Sequence, residues 1–168
     1  MVSVYLFLFH GIKTLFDNER MNTMAATNSG PKSGPALKQL SSHHAIHEGG
    51  LSGAIVKTND MMEYLKKGDL ETANRAADAL IDYWVTRIIA HADSEEAGFY
   101  EEVATKNPEL KDTVVQLTRD HDLIRIIVKD IEELRVEENL SPGVLHRFHS
   151  LLVVNEIHSR DEERLLFE

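Results

Sequence analysis

Two segments of the chain repeat one pattern of potential metal ligands. The first begins at His91 and the second at His158, and both read His-x-x-x-Glu-Glu. Residues four apart in a helix lie one turn apart on the same face, so an imidazole nitrogen and a carboxylate oxygen can reach a common point. Such mixed nitrogen and oxygen ligands suit iron, manganese or zinc. The pattern therefore predicts a metal site that includes His91, Glu95, His158 and Glu162.

The chain contains nine histidines, and some of the others lie where helices would carry a further ligand. His121 falls within a stripe of apolar residues. In the first helical segment His47 fits best with the apolar positions that follow it, while His43 and His44 remain alternatives. Each of four segments can thus deliver one histidine. The remaining three histidines are interpreted as residues outside the site: His10, His146 and His149.

The pairs of ligands follow the apolar stripes of their segments, which indicates that they point inward. A carboxylate buried without a partner is costly, so two at equivalent positions are best explained by bound cations. The second glutamate of each pattern, Glu96 or Glu163, could support a ligand or face solvent, and we favour solvent. The expected inward series are Ala77, Ile81 (or Leu80), Trp84, Ile88, His91, Glu95 and Gly98, then Leu151, Val154, His158, Glu162 and Leu165.

Four long helices position these residues, with breaks at Gly68, at Asn107-Pro108 and at Ser141-Pro142. Short breaks between long helices predict an all-α, antiparallel up-down-up-down four-helix bundle. The predicted helices cover residues 37–67, 69–105, 109–138 and 142–168. The expected inward series of the first is Leu40, His44, His47, Leu51, Ile55 (or Ala54), Thr58 and Met62, and that of the third is Val114, Leu117, His121, Ile124, Val128 and Ile131.

Length and composition limit the classes of function. The chain has 168 residues, which suggests one domain over 36–168 preceded by a flexible or mis-annotated leader over 1–35, with Met21 and Met24 as plausible true starts. Cysteine is absent, which excludes thiolate ligands and fits a cytoplasmic location. The net charge of −10 argues against nucleic-acid binding. No run reaches the about 18 apolar residues of a membrane span.

Several alternative sites are excluded by their motifs. A ferritin-like carboxylate centre requires Glu-x-x-His on two helices, and no glutamate here has a histidine three residues later. The zinc-protease pattern His-Glu-x-x-His is absent because glycines follow His47-Glu48. The chain also lacks a P-loop and a dinucleotide fingerprint.

From about Leu37 to Glu168 the sequence resembles the hemerythrin-like domain of the HHE cation-binding family. The resemblance rests on the order His, His-x-x-x-Glu, His, His-x-x-x-Glu, and on the Glu-Glu-Arg-Leu-Leu-Phe ending. It implies a four-helix bundle with two non-haem iron ions, although manganese and zinc also suit the ligands. The implied iron ligands are His47, His91, His121 and His158, with Glu95 and Glu162 bridging the two ions.

The sequence departs from the oxygen-carrying hemerythrins at two positions. Leu117 stands where those proteins place a second histidine in the third helix, and their final His-x-x-x-x-Asp is here His158-x-x-x-Glu162, with Glu163 one residue further on. The expected site is therefore less rich in nitrogen, which favours a reactive or sensing centre over an oxygen store. The implied function is binding or sensing of oxygen, nitric oxide or iron. The alternative is an enzyme that degrades peroxide or repairs iron centres under oxidative or nitrosative stress.

Overall fold

The structure of the protein is a computed structural model that describes residues 35–167. Within that range it contains four long helices and no strand, so the all-α prediction is confirmed. A 3-10 turn, Pro35–Lys38, precedes the first helix and another, Pro108–Leu110, precedes the third. The helices are α1 (Leu40–Lys66), α2 (residues 70–106), α3 (Lys111–Glu138) and α4 (Pro142–Phe167). The predicted leader lies outside the described residues, apart from Pro35.

The predicted breaks separate the helices for the expected local reasons. Gly68, with φ of +76°, ends α1 in the left-handed region that favours glycine. The Asp69 side chain then accepts a hydrogen bond from the Thr72 backbone N–H at 3.0 Å and caps α2. Ser141 accepts in the same way from the Val144 N–H at 3.3 Å, with Pro142 as the first residue of α4.

Helix α2 is not a regular α-helix throughout. Two stretches, Trp84–Ile89 and Glu95–Phe99, have the wider i→i+5 hydrogen bonding of a π-helix. Such π segments are rare and frequently lie at functional sites. Each π turn contains more residues than an α-helical turn, so the residues that follow are rotated about the helix axis. The predicted inward position Gly98 is therefore only half-buried, and Phe99 is buried instead.

The inward face of α1 also differs from the prediction. Leu40, His44 and Ile55 are exposed, although they were expected to point inward. The buried face consists of His43, His47, Ala54, Thr58 and Met61. These residues keep helical spacing, but their stripe includes His43 in place of His44. In α2 the alternative Leu80, rather than Ile81, is fully buried.

The helices pack with α1 against α2 and α4, and with α3 against α4 and α2, which is compatible with a four-helix bundle. Buried apolar residues form two clusters. The larger cluster, the main core, includes Met61, Trp84, Ile124, Phe148 and Leu151. The smaller cluster, which we call the end core, consists of Leu37, Phe99, Tyr100, Val103 and Leu117.

Gly53 allows α1 and α2 to approach closely. A Cβ atom there would lie 2.2 Å from the Tyr83 hydroxyl, which donates a hydrogen bond to the Gly50 carbonyl at 3.1 Å. A Cβ at Gly49 would meet nothing within 4 Å. The two neighbouring glycines thus differ in their tolerance of a methyl group.

We expect Gly53→Ala to lower the free energy of unfolding by about 1–3 kcal/mol, because Tyr83 must move. Gly49→Ala serves as the matched control and should raise it by up to about 1 kcal/mol, because alanine favours the helix. Urea denaturation of the metal-free proteins measures both changes. Equal effects of the two substitutions would contradict the close approach.

Candidate metal centre

All four helices contribute to one buried cluster of histidines and glutamates, which lies along the chain between residues of the main core and residues of the end core. It contains all six residues that the sequence analysis selected, together with His43. Six of the seven are buried and His91 is half-buried. The cluster consists of His43 and His47 from α1, His91 and Glu95 from α2, His121 from α3, and His158 and Glu162 from α4.

Glu95 lies at the middle of this cluster. Its Oε1 is 2.8 Å from His91 Nε2, 3.0 Å from His43 Nε2 and 3.6 Å from His47 Nε2. Its Oε2 is 3.4 Å from His121 Nε2. The two oxygens of one carboxylate therefore face different sets of histidines.

Glu162 approaches the same group from α4. Its Oε2 lies 3.0 Å from His43 Nε2, 3.3 Å from His47 Nε2 and 3.7 Å from His158 Nε2. The His121 and His158 Nε2 atoms lie 2.9 Å apart. Nitrogen and oxygen atoms from four helices are thus gathered within a few ångströms of one another.

Several of these atoms are buried without a hydrogen-bond partner. They are His91 Nε2, both oxygens of Glu95 and Oε1 of Glu162. The atoms are close, but their directions do not suit hydrogen bonds between them. Buried polar atoms are normally satisfied, and unpaired lone pairs that meet in one place fit a bound cation. The residues present therefore fit a metal ion.

Two overlapping sets of residues could hold a metal ion. One is His43, His47, His91 and Glu95, and the other is His47, Glu95, His158 and Glu162, with the ligand atoms of each set within 4.8 Å of one another. His47 and Glu95 belong to both sets. The donors are imidazole nitrogens and carboxylate oxygens, which suit iron, manganese and zinc and leave the identity of the metal open.

In three histidines of the cluster the second ring nitrogen, Nδ1, contacts an acceptor outside the cluster. His43 Nδ1 lies 3.0 Å from the Leu37 carbonyl oxygen. His47 Nδ1 lies 3.2 Å from Glu163 Oε1, and His121 Nδ1 lies 2.7 Å from Glu96 Oε1. Metal-bound histidines commonly donate their second N–H to such acceptors, which orients the ring. The contacts leave Nε2 of each ring directed into the cluster, where it could bind an ion.

Glu96 and Glu163 therefore do not simply face solvent, and the interpretation favoured from the sequence is wrong. Each lies against the Nδ1 atom of a histidine on a neighbouring helix. Glu96 also accepts a hydrogen bond from Arg125 at 3.0 Å. The second glutamate of each His-x-x-x-Glu-Glu pattern thus has the same position relative to the cluster. The repeat itself contained this signal, because both glutamates recur together.

The charges of the cluster shift its titration. Burial opposes protonation of His43, but close contacts with the Glu162 and Glu95 carboxylates and the charge of Glu162 raise the pKa of His43 to about 10. Burial raises the pKa of Glu95, but interactions with His121, His43, His47 and His91 outweigh it and hold this pKa well below its usual value. Without a cation, protonated histidine balances the buried carboxylates.

The other histidines lie apart from the cluster. His44 is exposed, and its Nδ1 lies 2.8 Å from Glu163 Oε2. His146 and His149 are exposed on α4, as expected. His10 lies outside the described residues. The sequence did not reveal that α1 supplies two buried histidines, because His43 and His44 both have plausible helical spacing to His47.

The cluster has a small cavity and a surface cleft beside it. The cavity measures about 30 Å³ and includes His47, His91 and Asn155 in its lining. This is room for about one or two water-sized molecules. The cleft measures about 470 Å³, and His47 and Glu163 lie on its wall. His47 therefore borders both spaces.

Comparison of the chain with protein-family models, curated proteins and solved structures finds no match. Along residues 35–167, none of the helices has the combination of length and apolar character that crossing a bilayer needs.

We expect Glu163→Gln and Glu96→Gln each to weaken metal binding by about 10–100-fold, because the amide no longer orients the histidine as a carboxylate does. Glu48→Gln is the control, since Glu48 is exposed beside the same cleft. Titration of metal-free protein against a competing chelator measures the affinities. Equal affinities in all three variants would show that these glutamates do not support ligands.

A second expectation concerns the metal-free protein at alkaline pH. The raised pKa of His43 means that its protonated form stabilises the fold fully below its usual value of 6.5, and that this contribution is lost as the pH rises through about 10. The free energy of unfolding should therefore fall more steeply between pH 7 and pH 10 in the wild type than in His43→Asn. Denaturation of chelator-treated protein measures this, with His146→Asn as control. Identical slopes in all three would contradict the account.

Proposed function

We propose that this protein is a non-haem di-iron protein of the hemerythrin-like type, which binds or senses a small ligand such as oxygen, nitric oxide or peroxide. The observation that carries the proposal is the convergence of buried ring nitrogens and carboxylate oxygens, of which His91 Nε2, both Glu95 oxygens and Glu162 Oε1 lack hydrogen-bond partners. A hydrogen-bonded polar core would instead pair these atoms with one another.

The distances support an assignment of ligands to two ions. His43, His47 and His91 would hold one ion, and His121 and His158 the other. Glu95 would bridge them, because Oε1 faces the first group and Oε2 faces His121. Glu162, whose Oε2 lies near both His47 and His158, would be the second bridging group.

The hemerythrin type also implies an antiparallel up-down-up-down arrangement, and the order of the cores along the chain supports it. From the 3-10 turn before α1 into α1, and along α3, the chain passes from the end core to the main core, since Leu37 precedes Ala54 and Leu117 precedes Ile124. Along α2 the order is reversed, with Trp84 before Phe99. In α4, Leu151 of the main core precedes Phe167, which packs against the end core.

Iron bound in pairs would supply one-electron redox chemistry and a place for a small ligand. The residues of the chain would hold the ions, orient the rings through Glu96, Glu163 and the Leu37 carbonyl, and limit the entry of water. The unequal number of histidines, three and two, supports an open position at the ion beside His121 and His158.

Iron analysis tests this proposal directly. Protein loaded with iron(II) under anaerobic conditions and then desalted should contain two irons per chain. Glu95→Gln should retain less than two, because the bridging carboxylate is lost. Loading should also raise the free energy of unfolding by about 4 kcal/mol at a metal concentration 1,000 times the dissociation constant.

The control is the double variant His146→Asn/His149→Asn, which removes two exposed histidines and should bind two irons like the wild type. Wild-type protein that retains no iron would contradict the proposal. Two ions per chain with manganese or zinc, and none with iron, would retain the site but contradict the assignment of its metal.

A further inference from the structure

Tyr100 is a buried phenol beside the metal centre. Its side chain is 2% exposed, and its hydroxyl has no hydrogen-bond partner among the described residues. Leaving a buried hydroxyl unsatisfied costs about 1–3 kcal/mol. The other two described tyrosines are partly or largely exposed. The metal ligands assigned above do not include this group, so its position needs a separate explanation.

The surroundings of Tyr100 place it on the side of the centre that has two histidines. Its ring stacks on the His121 imidazole, with centroids 5.6 Å apart and planes within 2° of parallel. Burial first, then the negative charges of Glu162 and Glu95, and then a polar interaction of the hydroxyl with Glu162 raise the pKa of Tyr100. The phenol therefore lies near both proposed bridging carboxylates.

The rest of its surroundings are apolar. Tyr100 belongs to the end core with Phe99, Val103 and Leu117, whose side chains neither donate nor accept hydrogen bonds. Leu117 lies one turn before His121 on α3, so this position contributes no polar side chain near Tyr100. A mostly apolar wall with one well-placed polar group is typical of a small-molecule site.

We propose that the Tyr100 hydroxyl donates a hydrogen bond to a small anionic ligand that enters the centre beside His121 and His158. The inference rests on the proposed function, because it requires an iron pair with an open position there. The ring nitrogens and carboxylate oxygens nearby would serve as metal ligands, whereas the phenol O–H lies near Glu162 without a hydrogen bond of normal geometry and so remains able to turn to a ligand. The chemical class of the ligand is a small anion that accepts hydrogen bonds.

Azide is a suitable probe, because it is a small anion that accepts hydrogen bonds and absorbs visible light when bound to iron(III). Wild-type, Tyr100→Phe and Tyr83→Phe proteins are loaded with iron, oxidised and titrated with azide. Tyr83→Phe is the matched control, because the Tyr83 hydroxyl already donates to an acceptor within the protein, the Gly50 carbonyl. All three should hold two irons per chain.

We expect azide to bind Tyr100→Phe about 10–100-fold more weakly than the wild type, as for the loss of one hydrogen bond to a charged group. Tyr83→Phe should bind it as the wild type does. The infrared stretch of bound azide should shift in Tyr100→Phe alone, which a change in packing outside the ligand site would not produce.

Three results would overturn the role of Tyr100. One is equal azide affinity in all three iron-loaded proteins. Another is loss of iron from Tyr100→Phe, which would make Tyr100 a structural or metal-binding residue. The third is an intense visible band of the azide-free wild type that disappears in Tyr100→Phe, which would identify a phenolate bound to iron. Wild-type protein without iron contradicts the proposed function itself, so the two failures are distinguishable.

Discussion

The burial of two carboxylates in the middle of the protein is the constraint on which the rest of the structure depends. Glu95 and Glu162 are both fully buried. Removing one ionised carboxylate from water costs several kcal/mol even after relaxation, unless a compensating charge lies nearby. His43 and His121, whose pKa values are raised, supply that charge as protons in the metal-free state. Bound cations would supply it more completely, because they also satisfy the oxygens that lack hydrogen bonds.

The neighbouring elements follow from this constraint. The main core and the end core lie on either side of the polar cluster along α2, α3 and α4, and Leu37 of the end core precedes α1. The two apolar cores exclude water from the cluster and so strengthen the electrostatic interactions between its charged groups. One π segment of α2 ends at Ile89, just before His91, and the other begins at Glu95. The irregular backbone therefore coincides with the residues assigned as metal ligands. Outside the cluster, Glu96 and Glu163 orient rings that belong to other helices. Each His-x-x-x-Glu-Glu pattern thus joins its own helix to a neighbour.

Much of this arrangement can be predicted from the sequence, because it depends on local spacing. The i,i+4 separation of His91 from Glu95 and of His158 from Glu162 places each pair on one helical face, and Gly68, Pro108 and Pro142 mark the breaks between helices. The face of α1 is different. His43 and His44 are both within one turn of His47, and only the packing of α1 against the other helices buries the former. The π segments, the contacts of Glu96 and Glu163 and the unpaired hydroxyl of Tyr100 likewise depend on tertiary neighbours.

The most direct test of the central claim is a crystal structure of the iron-loaded protein with anomalous diffraction measured on both sides of the iron absorption edge. The account predicts two anomalous peaks, about 3.5–4 Å apart as in other two-metal sites, with Glu95 between them. One peak should lie within bonding distance of His43, His47 and His91, and the other of His121 and His158. The absence of iron peaks from this cluster, or iron at the protein surface alone, would contradict the account.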